Sequence, residues 1–390
     1  MNPFVFLRGE LRRSWGGVLA LVLVLAFAGS LSPAVSVMER AIRAGMAHAA
    51  DAFDLVIGAR GSSVDLILGT VYLSEQALDL LPAGTMEAVK AQGGARWAAP
   101  LAFGDHWKEY PLAGTSEELV LLGGRRPLAS GRVFADHDEA VVGAGVPLRE
   151  GDTFEPGHGS VSSVIPGEEE HGRHDHAFTV VGRMPPTGTP WDRAIVVPIE
   201  GLWAMHDAGD AAGRCSAVVV KPVTIADAYR LRAALNTPDS QAVFSGEVLT
   251  RLFATLEQTQ KVMLLLASGA QAVAMAAALV AGFFAVAIRV REMALLRALG
   301  ASRAFIALSV WLLVTFIMLA GCAAGLGLGC LMATAVSVWV QAQTGVSLTV
   351  SPGSQELLAA LVSLLVGSAG AFLPAWFACR RAAGALLRSS

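Results

Sequence analysis

The chain has 390 residues, of which 54% are hydrophobic and only 16% charged, and its formal net charge is −3. This composition is typical of a membrane protein and excludes an ordinary soluble multidomain protein. The slight acidic excess also gives no electrostatic basis for binding nucleic acid, whose phosphates require a basic surface.

Four segments are long enough to cross a bilayer, because each holds roughly 20 or more residues without a charge. Residues 1–13 come before them and are expected to form an interfacial helix. The first segment is too long for a signal-peptide core and has no clear Ala-x-Ala cleavage site, so we expect an uncleaved anchor. The predicted spans are residues 14–38, 262–288, 304–340 and 357–379.

The charge distribution predicts which side of the membrane each segment faces. Residues 39–261 carry 19 basic and 29 acidic side chains, a net charge of −10, whereas the linker at 289–303 and the tail at 380–390 are basic. By the positive-inside rule, both termini and the linker lie in the cytoplasm. Residues 39–261 and the short loop at 341–356 then lie outside. We therefore expect a bacterial inner-membrane protein with a large periplasmic domain.

The region 39–261 mixes strand-like and helix-like patterns, which predicts one α+β domain inserted between the first two spans. Residues 38–53 are expected to extend the first span outward as a helical stalk. Amphipathic residues 247–261 run directly into the second span, so a continuous helix is expected there. The expected strands are 119–122, 140–142, 178–181, 194–197 and 217–221, and the expected helices are 64–80, 85–91 and 225–235, the last capped by Thr224.

The linker between the second and third spans is the most informative stretch. Residues 291–303 read Arg-Glu-Met-Ala-Leu-Leu-Arg-Ala-Leu-Gly-Ala-Ser-Arg. They predict a short basic helix that ends at Gly300, after which Ser302 can cap the next helix. An apolar patch of leucines is expected on it, and since topology alone needs no such patch, we interpret the linker as a docking helix for a cytoplasmic partner. The residues assigned to this contact are Arg289, Arg291, Glu292, Leu295, Leu296, Arg297, Leu299 and Gly300.

The same run resembles the coupling-helix signature of FtsX/MacB/LolC-type ABC transporter permeases. Residues 370–381, Gly-Ala-Phe-Leu-Pro-Ala-Trp-Phe-Ala-Cys-Arg-Arg, are similar to the Pro-Ala-x-x-Ala ending of the last span in those permeases. The resemblance covers 249–388 and, by layout only, the N-terminal span. It implies a MacB-like permease with four transmembrane helices and a periplasmic domain, which acts as a homodimer with two copies of a separate cytoplasmic ATPase.

The resemblance places ATP and magnesium in the partner ATPase. This chain has no Gly-Lys-Ser or Gly-Lys-Thr P-loop and no hydrolase motif, so we expect neither enzymatic activity nor a cofactor of its own. In the family, movement of the ATPases is transmitted to the outer domains, for export or extraction of lipoproteins, peptides, drugs or haem. The alternative is a non-transporting scaffold that signals to a periplasmic partner protein.

The third span contains Gly321, Gly325 and Gly329, a spacing that predicts close helix packing in lipid. No predicted span has an internal charge. This argues against an ion-coupled carrier or a channel, because such proteins usually need ionisable groups at membrane depth.

Four of the eight histidines fall between residues 158 and 176, beside four carboxylates. Imidazoles and carboxylates at such spacing are candidate zinc ligands. A solvated acidic loop and a pH-sensitive loop are the alternative interpretations. A zinc-linked transport component is therefore a further functional hypothesis, with His158, His171, His174 and His176 as the candidate ligands.

Overall fold

The computed structural model describes residues 3–74, 78–158, 176–205 and 213–381. The described chain divides into two compact units. The helical unit comprises the described parts of Met1–Ala41, Leu256–Val338 and Thr349–Ser390. The α/β unit comprises those of Ile42–Thr255 and Trp339–Leu348.

Long helices lie towards both ends of the chain, and short helices and strands lie between them. The helices are α1 (Pro3–Arg13), α2 (Trp15–Ala50), α3 (Ser63–Tyr72), α4 (Thr85–Gln92), α5 (Glu117–Val120), α6 (Ile199–Met205), α7 (Ile225–Leu235), α8 (Ser245–Ile288), α9 (Val290–Ala298), α10 (Arg303–Thr344), α11 (Ser354–Gly370) and α12 (Phe372–Arg381). The strands are β1 (Leu55–Ala59), β2 (Ala95–Trp107), β3 (Tyr110–Thr115), β4 (Ser130–Gly131), β5 (Glu139–Val142), β6 (Thr153–Phe154), β7 (Gly157–His158), β8 (Phe178–Arg183), β9 (Ile195–Pro198), β10 (Ala217–Pro222) and β11 (Ser240–Phe244).

Four helical stretches among the described residues are long and apolar enough to cross a membrane: α2, α8, α10 and Ser354–Ala378. The expectation of four such helices is confirmed. α10 continues to Thr344, four residues beyond the predicted end of the third span, so residues 341–344 belong to a helix and not to the predicted loop. The helix stops where Gly345 adopts a φ of 74°, a left-handed conformation that favours glycine.

The core of the helical unit brings α2, α8 and α10 together through a cluster that includes Leu25, Ala274, Val314 and Met318. Small residues such as Ala274 allow the helix backbones to approach closely, which is the main source of association between helices in lipid. α2 also contains Pro33 in its interior, whereas α8 contains no proline.

The α/β unit is built on a mixed sheet with the strand order β11-β1-β10-β2-β3-β9-β5-β8-β4. β2 is the longest strand, with 13 residues, and joins the two halves of the sheet. Its first part pairs with β10 and its second part with β3. β3 pairs in parallel with β9, and β5 with β8. A mixed sheet flanked by helices fits the predicted α+β class.

Both faces of this sheet are buried. Successive side chains of β1 point to opposite faces, so Leu55 and Ile57 enter one hydrophobic cluster while Val56 enters the other. Continuous burial of β1, β9 and β10 explains why these strands read as uninterrupted apolar runs in the sequence.

Four of the five predicted strands are confirmed: 140–142, 178–181 and 217–221 fall in β5, β8 and β10, and 194–197 overlaps β9 with a shift of one residue. The strand predicted at 119–122 is wrong, because this stretch belongs to the short helix α5 and its C-terminal turn. A short apolar run does not distinguish a strand from a buried helix. Glu117 and Glu118 in the first turn favour the helix electrostatically.

Local signals at helix ends account for the remaining differences. α3 ends at Tyr72 and not at residue 80, because Leu73 adopts a left-handed φ of 52°. The predicted cap of α7 is confirmed: the Thr224 hydroxyl accepts a hydrogen bond from the backbone N–H of Asp227 at 3.1 Å. The predicted continuous helix after residue 247 is also confirmed as α8, which has 44 residues.

Candidate functional site

α9 is held to the helical unit by one of its faces. Met293 and Ala294 are buried. Met293 belongs to a hydrophobic cluster with Val286 of α8 and with Ile306 and Val310 of α10. Because α9 is anchored between the two long helices that flank it, the rest of its surface has a fixed orientation in this unit.

α9 ends in a Schellman motif, which sets the length of the linker. Gly300 has a φ of 95°, and its N–H donates to the Arg297 carbonyl at 3.0 Å. The N–H of Ala301 donates to the Leu296 carbonyl, also at 3.0 Å. Ser302 then caps α10, because its hydroxyl accepts a backbone N–H at 3.1 Å. The turn between α9 and α10 is therefore fully hydrogen-bonded.

The three leucines of α9 do not form one patch. Leu295 and Leu299 are 62% and 82% exposed. Leu296 is half-buried and lines a cavity of about 460 Å³ within the helical unit. Positions four apart share a helix face, whereas the next residue lies about 100° away. The expectation is corrected accordingly: the outward apolar surface consists of Leu295 and Leu299.

Two candidate docking residues contact the N-terminal segment, Arg289 from a partly buried position and Glu292 from an exposed one. Arg289 forms an ion pair with Glu10 and donates a hydrogen bond to the Ser14 hydroxyl at 2.9 Å. Glu292 accepts a hydrogen bond from Arg13 at 3.0 Å. These contacts hold α1 and the start of α2 against the junction of α8 and α9, a role that the sequence did not indicate.

The other two charged candidates differ in exposure. Arg291 is exposed on α9. Arg297 is half-buried, and its Nη1 atom is buried without a hydrogen-bond partner in the part of the chain that the structure describes. The outward surface of α9 thus combines two leucines with Arg291.

The three glycines of α10 lie against α2. A methyl group added at Gly321 would come within 2.5 Å of the Leu25 side chain. At Gly329 it would come within 2.7 Å of Pro33 and of the Ser30 carbonyl oxygen. At Gly325 it would come within 3.1 Å of the α2 backbone, a less severe but still close approach. The backbones of α2 and α10 are therefore in contact along this stripe.

The histidine-rich region is described only at its two edges. His171 and His174 lie outside the described residues, and His158 is described only as a backbone position in β7. The Nε2 atom of His176 lies 2.9 Å from the Asp138 carboxylate, and its ring packs edge-on against Phe178. Among the residues that the structure describes, no group of three potential metal ligands is present.

Sequence reasoning missed a polar cluster that joins α2 to α11. The Glu356 carboxylate accepts hydrogen bonds from Arg40 at 3.0 Å, from the Ser36 hydroxyl at 2.7 Å and from the Gly353 N–H at 2.7 Å. Its side chain is 1% exposed. The only sequence signal was a single acidic residue at the start of an apolar span, which by itself names no partner.

Comparison with known proteins bears on the last third of the chain. Residues 264–383 match the family model for the FtsX-like permease C-terminal region. The match contains α9, α10 and α11, so the surface of α9 lies inside it. It confirms the resemblance of this region to FtsX-type permeases.

One solved structure shows a remote similarity to part of the chain. The extracellular domain of YknZ, a noncanonic ABC-type transporter from Gram-positive bacteria, aligns with 48% of this chain and 98% of its own, with 12% sequence identity and a TM-score of 0.30. No curated protein matches the chain.

Proposed function

We propose that this chain is the permease subunit that converts ATP hydrolysis by a separate cytoplasmic ATPase into movement of its extracytoplasmic α/β unit. The observation that carries the proposal is the exposed surface of α9, formed by Leu295, Leu299 and Arg291. Exposed leucines on a short, rigidly capped helix are typical of a protein–protein contact. An arginine beside them adds the residue type most often found at the energetic centre of such contacts.

The distribution of charge supports the orientation that this proposal needs. The linker that contains α9 is basic, whereas residues 39–261 have a net charge of −10. The positive-inside rule puts α9 in the cytoplasm, where the ATPase is, and the α/β unit outside. In a bacterium with two membranes, this arrangement corresponds to the inner membrane with the α/β unit in the periplasm.

The long helices support a mechanical role. α8 has 44 residues, which corresponds to about 66 Å at a rise of 1.5 Å per residue. The hydrocarbon core of a bilayer is about 30 Å thick. A continuous helix of this length reaches well beyond the membrane and ends beside α9, which suits it to transmit movement. Catalysis stays in the ATPase, which holds ATP and magnesium.

The assembly we propose contains two copies of this chain and two ATPase subunits, as the resemblance implies. The substrates expected from it are lipoproteins, peptides, drugs or haem, handled at or outside the outer face of the membrane.

The test is capture of an ABC ATPase by the intact permease. The chain is purified in nanodiscs after co-expression with the ABC ATPases of its own genome, tagged one at a time. The double variant Leu295→Asp/Leu299→Asp should lose capture of the ATPase that the wild type binds. The control is Arg149→Asp, at an exposed site in the α/β unit. The pair Leu331→Asp/Val338→Asp also replaces two exposed apolar residues, but they lie on α10, where the change would disturb the membrane part. Undiminished capture by the α9 variant would refute docking at this surface.

A further inference from the structure

The α/β unit contains a cavity of about 490 Å³ that the proposed function does not use. Its wall is formed by the end of α2 and the residues after it, by α5 and the loop that follows, and by the loop at 186–191. Trp97 of β2 and Lys221 of β10 complete it. The volume lies in the range of small-molecule binding sites in proteins. All of these segments belong to the α/β unit, so the cavity is complete within it.

The cavity has an apolar floor. Phe53, Trp97 and Leu119 line it, and each is almost fully buried. Phe53 also packs against Trp191, with ring centroids 5.8 Å apart. Aromatic and aliphatic walls of this kind favour a ligand with an apolar body, because its burial removes apolar surface from water.

Trp191 also lines the cavity. It is 5% exposed, and its Nε1 atom is buried from solvent without a hydrogen-bond partner among the described residues. Because solvent does not reach this atom, an acceptor held in the cavity does not reach it either. Trp191 therefore contributes apolar surface to the wall.

The charge of the wall is positive. It contains Arg125, Arg126 and Lys221 against the single carboxylate of Asp51. Lys221 is already paired with Asp54 at 2.7 Å. The Arg126 guanidinium donates to the carbonyl of Val120, and its burial lowers the pKa of Arg126 from the ordinary value.

Arg125 is different from these two cations. Its side chain is exposed at the cavity and has no hydrogen bond or ion pair to any other described residue. A guanidinium recognises a carboxylate through paired hydrogen bonds and a full opposite charge. Arg125 is thus the cation of the wall that is free to pair with a ligand.

The wall itself is rigid on the side of the loop at 186–191. The Asp192 carboxylate accepts hydrogen bonds from the backbone N–H groups of Thr187 and Gly188. The Thr187 carbonyl lies 3.0 Å from the His48 Nε2, and the Gly188 carbonyl accepts the N–H of Ser347. A loop fixed in this way needs little ordering when a ligand binds, which favours affinity.

We propose that this cavity binds a hydrophobic carboxylate: an aromatic or aliphatic body on the Phe53, Trp97 and Leu119 floor, with its carboxylate bound by Arg125. The shared chemistry has two sources, a free hydrophobic acid and the C-terminal carboxylate of a peptide that ends in an apolar residue. The cavity contains no residue of α9, so this proposal can be refuted without refuting the proposed function.

The experiment is equilibrium dialysis with the full chain in nanodiscs, with empty nanodiscs subtracted. The probes are naphthalene-2-acetate and its neutral amide, naphthalene-2-acetamide. The acid should bind at least about tenfold more tightly than the amide, because only the acid offers a charged acceptor. A second pair, the tripeptide Ala-Ala-Phe and its C-terminal amide, distinguishes the sources: tighter binding of the peptide acid assigns the site to chain ends, and tighter binding of naphthalene-2-acetate assigns it to free acids.

A wall variant completes the test. Arg125→Gln removes the charge at an exposed position, and an unchanged melting temperature shows that the variant is folded. It should weaken binding of the acid about tenfold and leave the amide unchanged. Arg149→Gln replaces another exposed arginine, which lies outside the cavity, and should bind as the wild type does. Equal binding of acid and amide, no binding at millimolar acid, or wild-type affinity in Arg125→Gln would overturn the proposal.

Discussion

Arg40 and Glu356 form an ion pair, with 3.0 Å between Nη2 and Oε2, although they lie 316 positions apart in the chain. The pair joins the outer part of α2 to the first turn of α11. Glu356 is 1% exposed whereas Arg40 is 39% exposed, so the carboxylate depends on its partners for compensation and the guanidinium does not.

Removing one partner of this pair should therefore destabilise the chain more than removing both. Arg40→Met leaves the buried carboxylate without its counter-charge and is expected to cost about 3 kcal/mol. Arg40→Met/Glu356→Met removes the charge as well and should recover most of that loss. Thermal unfolding in nanodiscs measures the free energies of this double-mutant cycle. Ser36→Ala is a third variant, which removes only one hydrogen bond to Glu356. Additive effects of the two single replacements would show that the residues are not coupled.

The glycines of α10 predict that alanine at Gly321 and alanine at Gly327 affect stability differently. Gly321→Ala places a methyl group 2.5 Å from the Leu25 side chain, so α2 and α10 must separate, at an expected cost of about 1–3 kcal/mol. Gly327→Ala meets nothing within 4 Å and should be neutral or slightly stabilising, since alanine is the better helix former. The melting temperatures of the two variants in nanodiscs decide the matter. Equal temperatures would mean that the stripe does not pack closely.

Glu139 predicts a pH dependence of stability. Its carboxylate accepts hydrogen bonds from Arg132 and from the backbone N–H of Ala135, which lowers its pKa to about 2. A lowered pKa in the folded state contributes stability that is present above the unfolded-state value near 4.5 and is lost as the pH falls towards 2.

Glu139→Gln removes that contribution. At neutral pH the variant should be less stable than the wild type by about 1–2 kcal/mol, once solvent screening of the partly exposed Arg132 is allowed for. The difference should narrow as the pH falls from about 5 to about 2. Melting curves over this range provide the measurement, with Glu155→Gln as an exposed control. A stability difference between Glu139→Gln and the wild type that stays constant with pH would contradict the lowered pKa of Glu139.

The orientation is tested by labelling single cysteines in a background without the four native ones. Glu155→Cys and Ala298→Cys both lie at exposed positions, the first in the α/β unit and the second at the end of α9. A membrane-impermeant maleimide added to spheroplasts should label Glu155→Cys at once and Ala298→Cys only after permeabilisation. The opposite order would reverse the proposed topology.

The four long helices could be predicted because they depend only on local composition. No charged residue occurs between Arg303 and Glu356, and a stretch without charge of that length is stable only in lipid or in a large core. The end of α9 and the start of α10 could be predicted equally well from the sequence, because the Gly300 turn and the Ser302 cap are formed by neighbours in sequence. Local chemistry decides such features, so the sequence is enough to find them.

The faces of α9 could not be predicted in the same way. Leu295 and Leu296 are chemically identical neighbours, and only the position of α8 and α10 makes one exposed and the other half-buried. The same limit applies to Glu356, whose partner Arg40 is near the other end of the chain, and to the cavity at Phe53, whose wall comes from segments far apart in the chain. Contacts between distant segments need the fold.

Pro33 gives α2 a mechanical property that α8 lacks. Proline has no N–H to donate to the carbonyl four residues earlier, and its ring crowds the preceding turn, so α2 has a built-in point of flexure. α8 runs for 44 residues without any such interruption. Bending of α2 is therefore expected to concentrate at Pro33, whereas α8 has no position at which its backbone hydrogen bonds are interrupted in this way.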